Sequence, residues 1–278
     1  MNIFKIKWVK IVAIILAVII FLFATLLVGT EIRKNQKPWS PNYEMVDITG
    51  LLAKQNFTDD DYDILYRQTG LTKLGVDGLI KAGRITDILK IQSQFFEAQD
   101  IYYKSFAPFM GYLRRHKDSK VTHAVLENGD ILYSPTTFLS MIEMGQSAIV
   151  IDEQRDVIAQ ASGYGMPSNT IHASNIFVRP CFIVLRVNAP KEKRNEVANY
   201  VKSDLLGLEY DILAGIFEKK APTNIKKTHC SHIVWYAYNH FGIDVDGTGG
   251  KIVTPKDLSV SENVSVVQIY GIDIEKYN

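Results

Sequence analysis

The sequence predicts an α+β protein carried by an N-terminal membrane helix. Three observations predict it. An unbroken apolar run opens the chain, segments with a helical period follow, and short alternating or apolar runs take over after Lys120. Those later runs are segregated from the helices rather than strictly alternating with them, as α+β folds require. The 278 residues suffice for one large domain or two small ones. A net charge of +1 gives no electrostatic pull toward nucleic acid.

The first element is the run "IVAIILAVIIFLFATLLV", Ile11 to Val28. It is about 18 residues, or roughly 27 Å as a helix, close to the thickness of a bilayer core. Lys5, Lys7 and Lys10 precede it and favour a cytoplasmic N-terminus. Arg33, Lys34 and Lys37 follow, so the bias is weak. The run is longer than a signal-peptide core, and "LLVGTE" fits a cleavage site poorly. The expectation is an uncleaved anchor over residues 11–29, with a cytoplasmic tail at 1–10 and the rest of the chain on the extracytoplasmic side of the cell membrane. "KPWSP" then marks a polar spacer over 30–43.

A helical segment is expected over 44–118. "TDDDYDILYRQTG" opens with a Thr58/Asp61 capping pair and stops at Gly70. "KLGVDGLIKAG" reads as a second short helix. In "TDILKIQSQFFEAQDIYYKSF", Ile88, Ile91, Phe95, Ala98 and Tyr102 share one helical face, with Pro108 as the limit.

Beyond Lys120, "NGDILYS" is a turn into a strand. "SAIVID" and "DVIAQAS" form a hairpin, and "RPCFIVLRV" is a further strand. "KEKRNEVANYVKSDLLG" is a helix with Val197, Val201 and Leu205 inward. "CSHIVWYAYNHFG" is another, stopping at Gly242, and "VSVVQIYG" is the last strand. "DVDGTGG", Asp244 to Gly250, lacks the acidic positions of a calcium loop and reads as a glycine-rich turn.

The chemistry centres on Cys230, one of two cysteines, with His229, His232 and His240 close in sequence. A helix start favours a thiolate through its free N–H groups and dipole. Two readings stand: a nucleophile, or a small buried thiol. Residues one or two apart on a helix do not face each other, so His229 and His232 are not partners for the thiol. Metal binding is not expected, because the ligand spacing is wrong. No cofactor is implied. A Cys181–Cys230 disulfide cannot be placed from sequence.

The segment "HCSHIVWYAY … GIDVD … GG … IVTPKDL … YG", preceded by "NGDILYS", "GQSAIV", "VIAQASGYG", "VLRV" and "LGLEYD", resembles the circularly permuted NlpC-type papain-like cysteine hydrolases. The order and spacing of the pieces carry the resemblance, over about Val121 to Gly271. It implies a permuted papain-like domain at 119–278, an antiparallel sheet packed with a cysteine-bearing helix. Cys230 matches the family's nucleophile and Tyr210 a tyrosine on the oxyanion side. The family's histidine base falls on Gln146 and its third polar residue on Gln160.

An amide does not titrate, so Gln146 offers only hydrogen bonds where a base and acid would contribute about 10²–10⁴-fold. A shifted register makes His123, in "THAVLENGD", the base; His172, expected on the connection after the hairpin, is the other candidate. The resemblance implies amide-bond (peptidase or amidase) chemistry on cell-wall peptides. The alternatives are a degenerate member that binds a wall peptide, lipid or partner protein, a lipid acyl hydrolase or transferase, and a scaffold without ligand. Substrate and oligomeric state are not set by the sequence.

Overall fold

The computed structural model describes residues 3–116, 121–216 and 219–276. The boundary expected at 118/119 lies outside the described residues. The apolar run lies in helix α1 (Ile3–Lys34). This helix is long and apolar enough to cross a membrane, and none of its apolar window is buried inside the protein. It continues five residues past Gly29 into the expected spacer. No proline intervenes before Pro38, and Lys34 pairs with Glu31 one turn back at 2.5 Å.

Four helices follow: α2 (Thr49–Leu52), α3 (Asp59–Thr69), α4 (Lys73–Lys81) and α5 (Ile85–Phe96). The α3 start has the expected reciprocal Thr58/Asp61 capping box. The expected longer helix stops at Phe96, which leaves Ala98 and Tyr102 outside it. Residues beyond form a hairpin of β1 (Ile101–Ala107) and β2 (Met110–Arg115), with Pro108 in its turn. The segment 44–118 is therefore not helical throughout. "IYYKSF" is rich in β-formers, and pairing with Met110–Arg115 satisfies its backbone groups better than a helix running into Pro108 would.

The chain then lays down β3 (Ile131–Ser134), β4 (Thr137–Leu139), β5 (Ile142–Glu143), β6 (Gln146–Asp152), β7 (Val157–Gln160) and β8 (Asn169–His172). Next come α6 (Ser174–Phe177), β9 (Phe182–Val187), α7 (Lys191–Asp204), β10 (Glu209–Tyr210) and β11 (Lys227–Thr228). Helices α8 (Cys230–His240) and α9 (Pro255–Ser259) precede the final strand β12 (Val264–Tyr270).

The main sheet has six antiparallel strands in the order β12-β9-β3-β6-β7-β8. A smaller sheet has the order β1-β2-β4-β5. Helices α7 and α8 pack together on β6. The architecture is thus mixed α+β with antiparallel sheets and one apolar N-terminal helix. The helical segment is not a separate body, because Leu65, Leu79, Ile88 and Ile91 share one buried cluster with the sheet residues. The α3–α4 turn also lies along the exposed edge of β12. Ile269 N donates to Gly70 O (2.8 Å) and Thr72 N to Val267 O (3.1 Å), which covers an otherwise open strand edge.

One turn sets how the helices meet the sheet. Gly129, in "NGD", has φ +85°. Its N–H donates to Val150 O (2.8 Å) and its carbonyl accepts from Tyr238 Oη (2.6 Å). A Cβ there would stand 2.5 Å from Tyr238 Oη and 2.8 Å from Arg194 Cβ. The next residue, Asp130, is fully buried and takes two bonds from Arg186, Nε at 2.9 Å and Nη2 at 2.7 Å.

Gly129→Ala is expected to lose roughly 2–4 kcal/mol in urea unfolding of the full chain in detergent, from the positive φ and the clash together. Tyr238→Phe, which only strips the Gly129 carbonyl of its partner, is expected to lose about 1 kcal/mol. A Gly129→Ala loss below about 0.5 kcal/mol would show that the junction is looser than described.

Candidate functional site

Helix α8 runs alongside β6 in the same direction. Tyr238 is fixed to Gly129, which is itself bonded to Val150 near the end of β6. Eight residues back along the helix, about 12 Å, is Cys230. Four residues back along the strand, about 13 Å, is Gln146. Both therefore sit at the same end of the sheet. The segment before α9 ties them together: Ser231 Oγ donates to Val253 O (2.6 Å), and Pro255 fills the space over Gly145, 3.2 Å from where a Cβ would stand.

The two glutamines meet as the hairpin register dictates. Ile149 pairs with Ala159, so Gln160 falls opposite Ala148 and Gln146 is its diagonal neighbour. Gln146 Nε2 donates to Gln160 Oε1 (3.3 Å). Gln160 Nε2 donates to Asn169 Oδ1 (3.4 Å), directly across β7–β8. Three amides on three strands form one chain. With Nε2 committed, the remaining atom of the buried Gln146 side chain is Oε1, an acceptor.

Tyr210 reaches the same place by a different route. It pairs with Thr228 in the two-residue parallel β10–β11 bridge, and Asp211 N donates to Thr228 O (2.9 Å). Thr228 is two residues before Cys230. Ser168 clamps the approach: its N–H donates to Leu208 O (2.8 Å), and its carbonyl accepts from Gly207 N (2.8 Å). The phenol of Tyr210 is held above its ordinary range by burial first, then by the neighbouring Cys230 and Tyr164. It remains an O–H donor at neutral pH. Tyr164, an exposed ring on the β7–β8 loop, packs edge-on against it with ring centres 5.1 Å apart.

The structure brings Cys230, Gln146, Gln160 and Tyr210 to one end of the sheet, and leaves His123 and His172 at the other. His123 stacks on Phe177 at 4.0 Å and donates Nδ1–H to Ala124 O (2.8 Å). Its Nε2 is 3.8 Å from Asp156, in the β6–β7 turn. His172 lies within β8, not on a connection, and pairs with Val157 beside that same turn. From there to the start of β6 is about 20 Å of strand. In the shifted register, His123 would need to face Cys230, and it lies beside the opposite turn.

All six histidines are among the described residues. His116 packs at a tilt against Tyr102, and His240 stacks on Tyr200. His232 donates Nε2–H to Lys220 O (2.8 Å), and its Nδ1 faces Thr228 Oγ1 (3.1 Å). His229 is the N-cap of α8, its Nδ1 accepting from His232 N. The proton is then on Nε2, which lies buried toward the Ala214 carbonyl without a hydrogen bond of standard geometry. Burial and the nearby His232 push the His229 imidazole down to about 3. It is a neutral capping group with no lone pair free for the thiol.

Both cysteines are free. The Cys181 thiol donates to Gly271 O (3.0 Å), and burial raises it to about 12. Among the described residues, no group of three or more His, Cys, Asp or Glu side chains could hold a metal ion.

Asn169 and Tyr164 were not singled out from sequence. The turn signal "GYGMPS" between "VIAQAS" and "NTIH" was the available clue, since a third strand there puts Asn169 beside Gln160. A scan against protein-family models, a search of curated proteins and a search of solved structures each return no match for this chain.

His229 gives an acid-side prediction. In the unfolded chain it protonates near its ordinary 6.5, and in the folded chain only near 3. Its full stability is therefore present above about 6.5 and is lost as pH falls toward 3. Between pH 6.5 and 5 the loss from this one group is about 2 kcal/mol. His229→Asn keeps an N-cap acceptor and is expected to unfold with a correspondingly shallower pH dependence. Urea midpoints from pH 7.5 to 5 check this; parallel curves for both proteins would remove His229 as the source.

Proposed function

We propose that this chain is a membrane-anchored, extracytoplasmic relative of the permuted NlpC-type hydrolases, in which the Cys230 end of the main sheet binds an amide-bearing wall peptide rather than cleaving it with a cysteine–histidine pair. The fold reading is supported by chain order: the strand bearing Gln146 comes first, the Tyr210 segment next and the cysteine helix after it. An antiparallel sheet with that helix laid along one strand suits the same reading.

The observation that carries the functional reading is the Gln146–Gln160–Asn169 chain at the cysteine end of the sheet. Cleavage of an amide by a thiol needs a group to take the thiol proton and return it to the departing amine. Carboxamides do neither at neutral pH. What this end offers is an acceptor, Gln146 Oε1, and a donor, Tyr210 Oη. A peptide bond presents one N–H and one C=O, and so matches that pair.

A lipid acyl ligand is the second reading. Gln146 follows Ile142 by four residues, at most about 14 Å of chain. Ile142 lies in the small sheet that packs beside the apolar helix.

Calorimetric titration of the full chain in detergent with a wall stem peptide tests the proposal. Gln146→Ala and Tyr210→Phe are each expected to weaken binding about tenfold, a loss of one well-made hydrogen bond, with Cys230→Ala close to the parent. Iodoacetamide should alkylate Cys230 at pH 6 no faster than free cysteine. Gln146→His should speed that alkylation by supplying an imidazole. Hydrolysis of a wall peptide or a phospholipid by the parent, lost in Cys230→Ala, would overturn the reading.

A further inference from the structure

We infer that the small β1–β2–β4–β5 sheet is seated in the lipid interface of the membrane that holds α1, its two loop tips lying among acyl chains just below the headgroups. This stands independently of what the Cys230 end of the main sheet binds.

The first support is where α1 touches the domain. Phe23 packs edge-on against Phe109 of the β1–β2 turn, ring centres 5.1 Å apart. Leu26 O accepts from Ser140 Oγ (2.9 Å), and Arg33 Nη2 donates to Met141 O (2.7 Å). At Gly29 the approach is so close that a Cβ would lie 2.2 Å from Ser140 Oγ. The sheet thus lies along the last turns of the helix instead of hanging beyond its end. Phe23 is five residues inside Val28, where the apolar run stops, about 8 Å along the axis. With α1 across a bilayer, Phe109 is held at that depth.

The second support is chemical. Phe106, on the edge strand β1, and Met141 and Ile142, at the β4–β5 turn toward the opposite edge, are 51%, 47% and 58% exposed. "FAPFM" and "LSMI" carry no charge. The rim is charged and mixed: Lys104 is exposed two residues before Phe106, Arg33, Lys34 and Lys37 follow the apolar run, and the exposed carboxylates Glu31 and Glu143 lie among them. Apolar tips with charged groups beside them suit acyl chains below and phosphates above.

The third support is strain. Phe109 and Ser140 have φ of +60° and +52°, a region disfavoured for side chains other than glycine. Both are the tip residues that touch α1. Strained backbone persists where surroundings over-determine it, and here the helix contact does so.

The test places a photo-crosslinking benzoylphenylalanine singly at Phe106, Ile142, Ile19 and Ile64 in the full chain. Each variant is reconstituted in vesicles of phosphatidylethanolamine and phosphatidylglycerol carrying a radiolabelled lipid. Ile19 reports whether α1 is in the bilayer, and Ile64, an exposed apolar residue on α3, reports chance collision. Phe106 and Ile142 are expected to capture lipid at least about fivefold above Ile64, as residues immersed in an interface should. Capture at Ile19 but only background at both tips would overturn the seating while leaving the anchor intact. Capture at none of the three would overturn anchor and seating together. Crosslinks from the tips to a second copy of the chain in place of lipid would also overturn it. Melting curves matching the parent confirm that each substituted chain is folded.

Discussion

Gly129 is where four elements close on one another, and the rest of the domain takes its spacing from that closure. Its N–H holds the end of β6, its carbonyl holds Tyr238 of α8, and the space a side chain would need is taken by Tyr238 and Arg194 of α7. Asp130, one residue on, is fully buried and is neutralised by Arg186 of β9. A buried carboxylate persists only with such a partner. Two helices and two strands are thereby fixed to a three-residue turn. Because α8 is pinned at Tyr238 and again at Ser231, its first residue has one place to be. Cys230 is set by a contact about 12 Å away along its own helix.

That explains which parts of the site could be read in the sequence. Strands such as "SAIVID" and "DVIAQAS" announce themselves through alternation, and their hairpin register then carries Gln146 to Gln160 without further information. The amphipathic helix at Lys191 and the capped helix at Thr58 are also local signals. Tyr210 is different. Its bridge to Thr228 is two residues long, far too short to leave a pattern, and its placement depends on the Ser168 clamp from another loop. Asn169 enters only because β8 adds a third strand. His229 shows the limit of local geometry: helix spacing correctly keeps it from facing the thiol, but gives no hint that its ring caps the helix instead.

The hairpin at 101–115 failed for a related reason. Ile88, Ile91 and Phe95 do form one helical face, buried in the core. Ala98 and Tyr102 continue the spacing by coincidence, in a stretch whose aromatic and β-branched content suits a strand as well. Periodicity cannot decide between two structures when one depends on a partner strand located elsewhere. The same partner dependence governs the small sheet as a whole. Its tips are apolar and strained, and they lie against the end of α1. Read alone, "FAPFM" is an unremarkable turn. In the fold, the same turn lies against Phe23, inside the apolar run of α1.

The amide chain has a consequence that follows from its chemistry. A cysteine–histidine pair changes charge near neutrality, so both its binding and its reactivity vary with pH. Gln146, Gln160 and Asn169 do not titrate, and Tyr210 is held in its protonated form by burial. Each amide in the series polarises the next, so the free acceptor at Gln146 is held in orientation by two strands behind it. Such a site keeps the same donor and acceptor pattern across the whole range in which the domain is folded. Its acid limit is then set by stability rather than by titration of its own groups. The buried neutral imidazole of His229, immediately before Cys230, puts the start of that limit near pH 6.5. A histidine at this position therefore governs the pH range over which the cysteine end of the sheet stays folded, while the glutamines set the hydrogen-bonding groups found there.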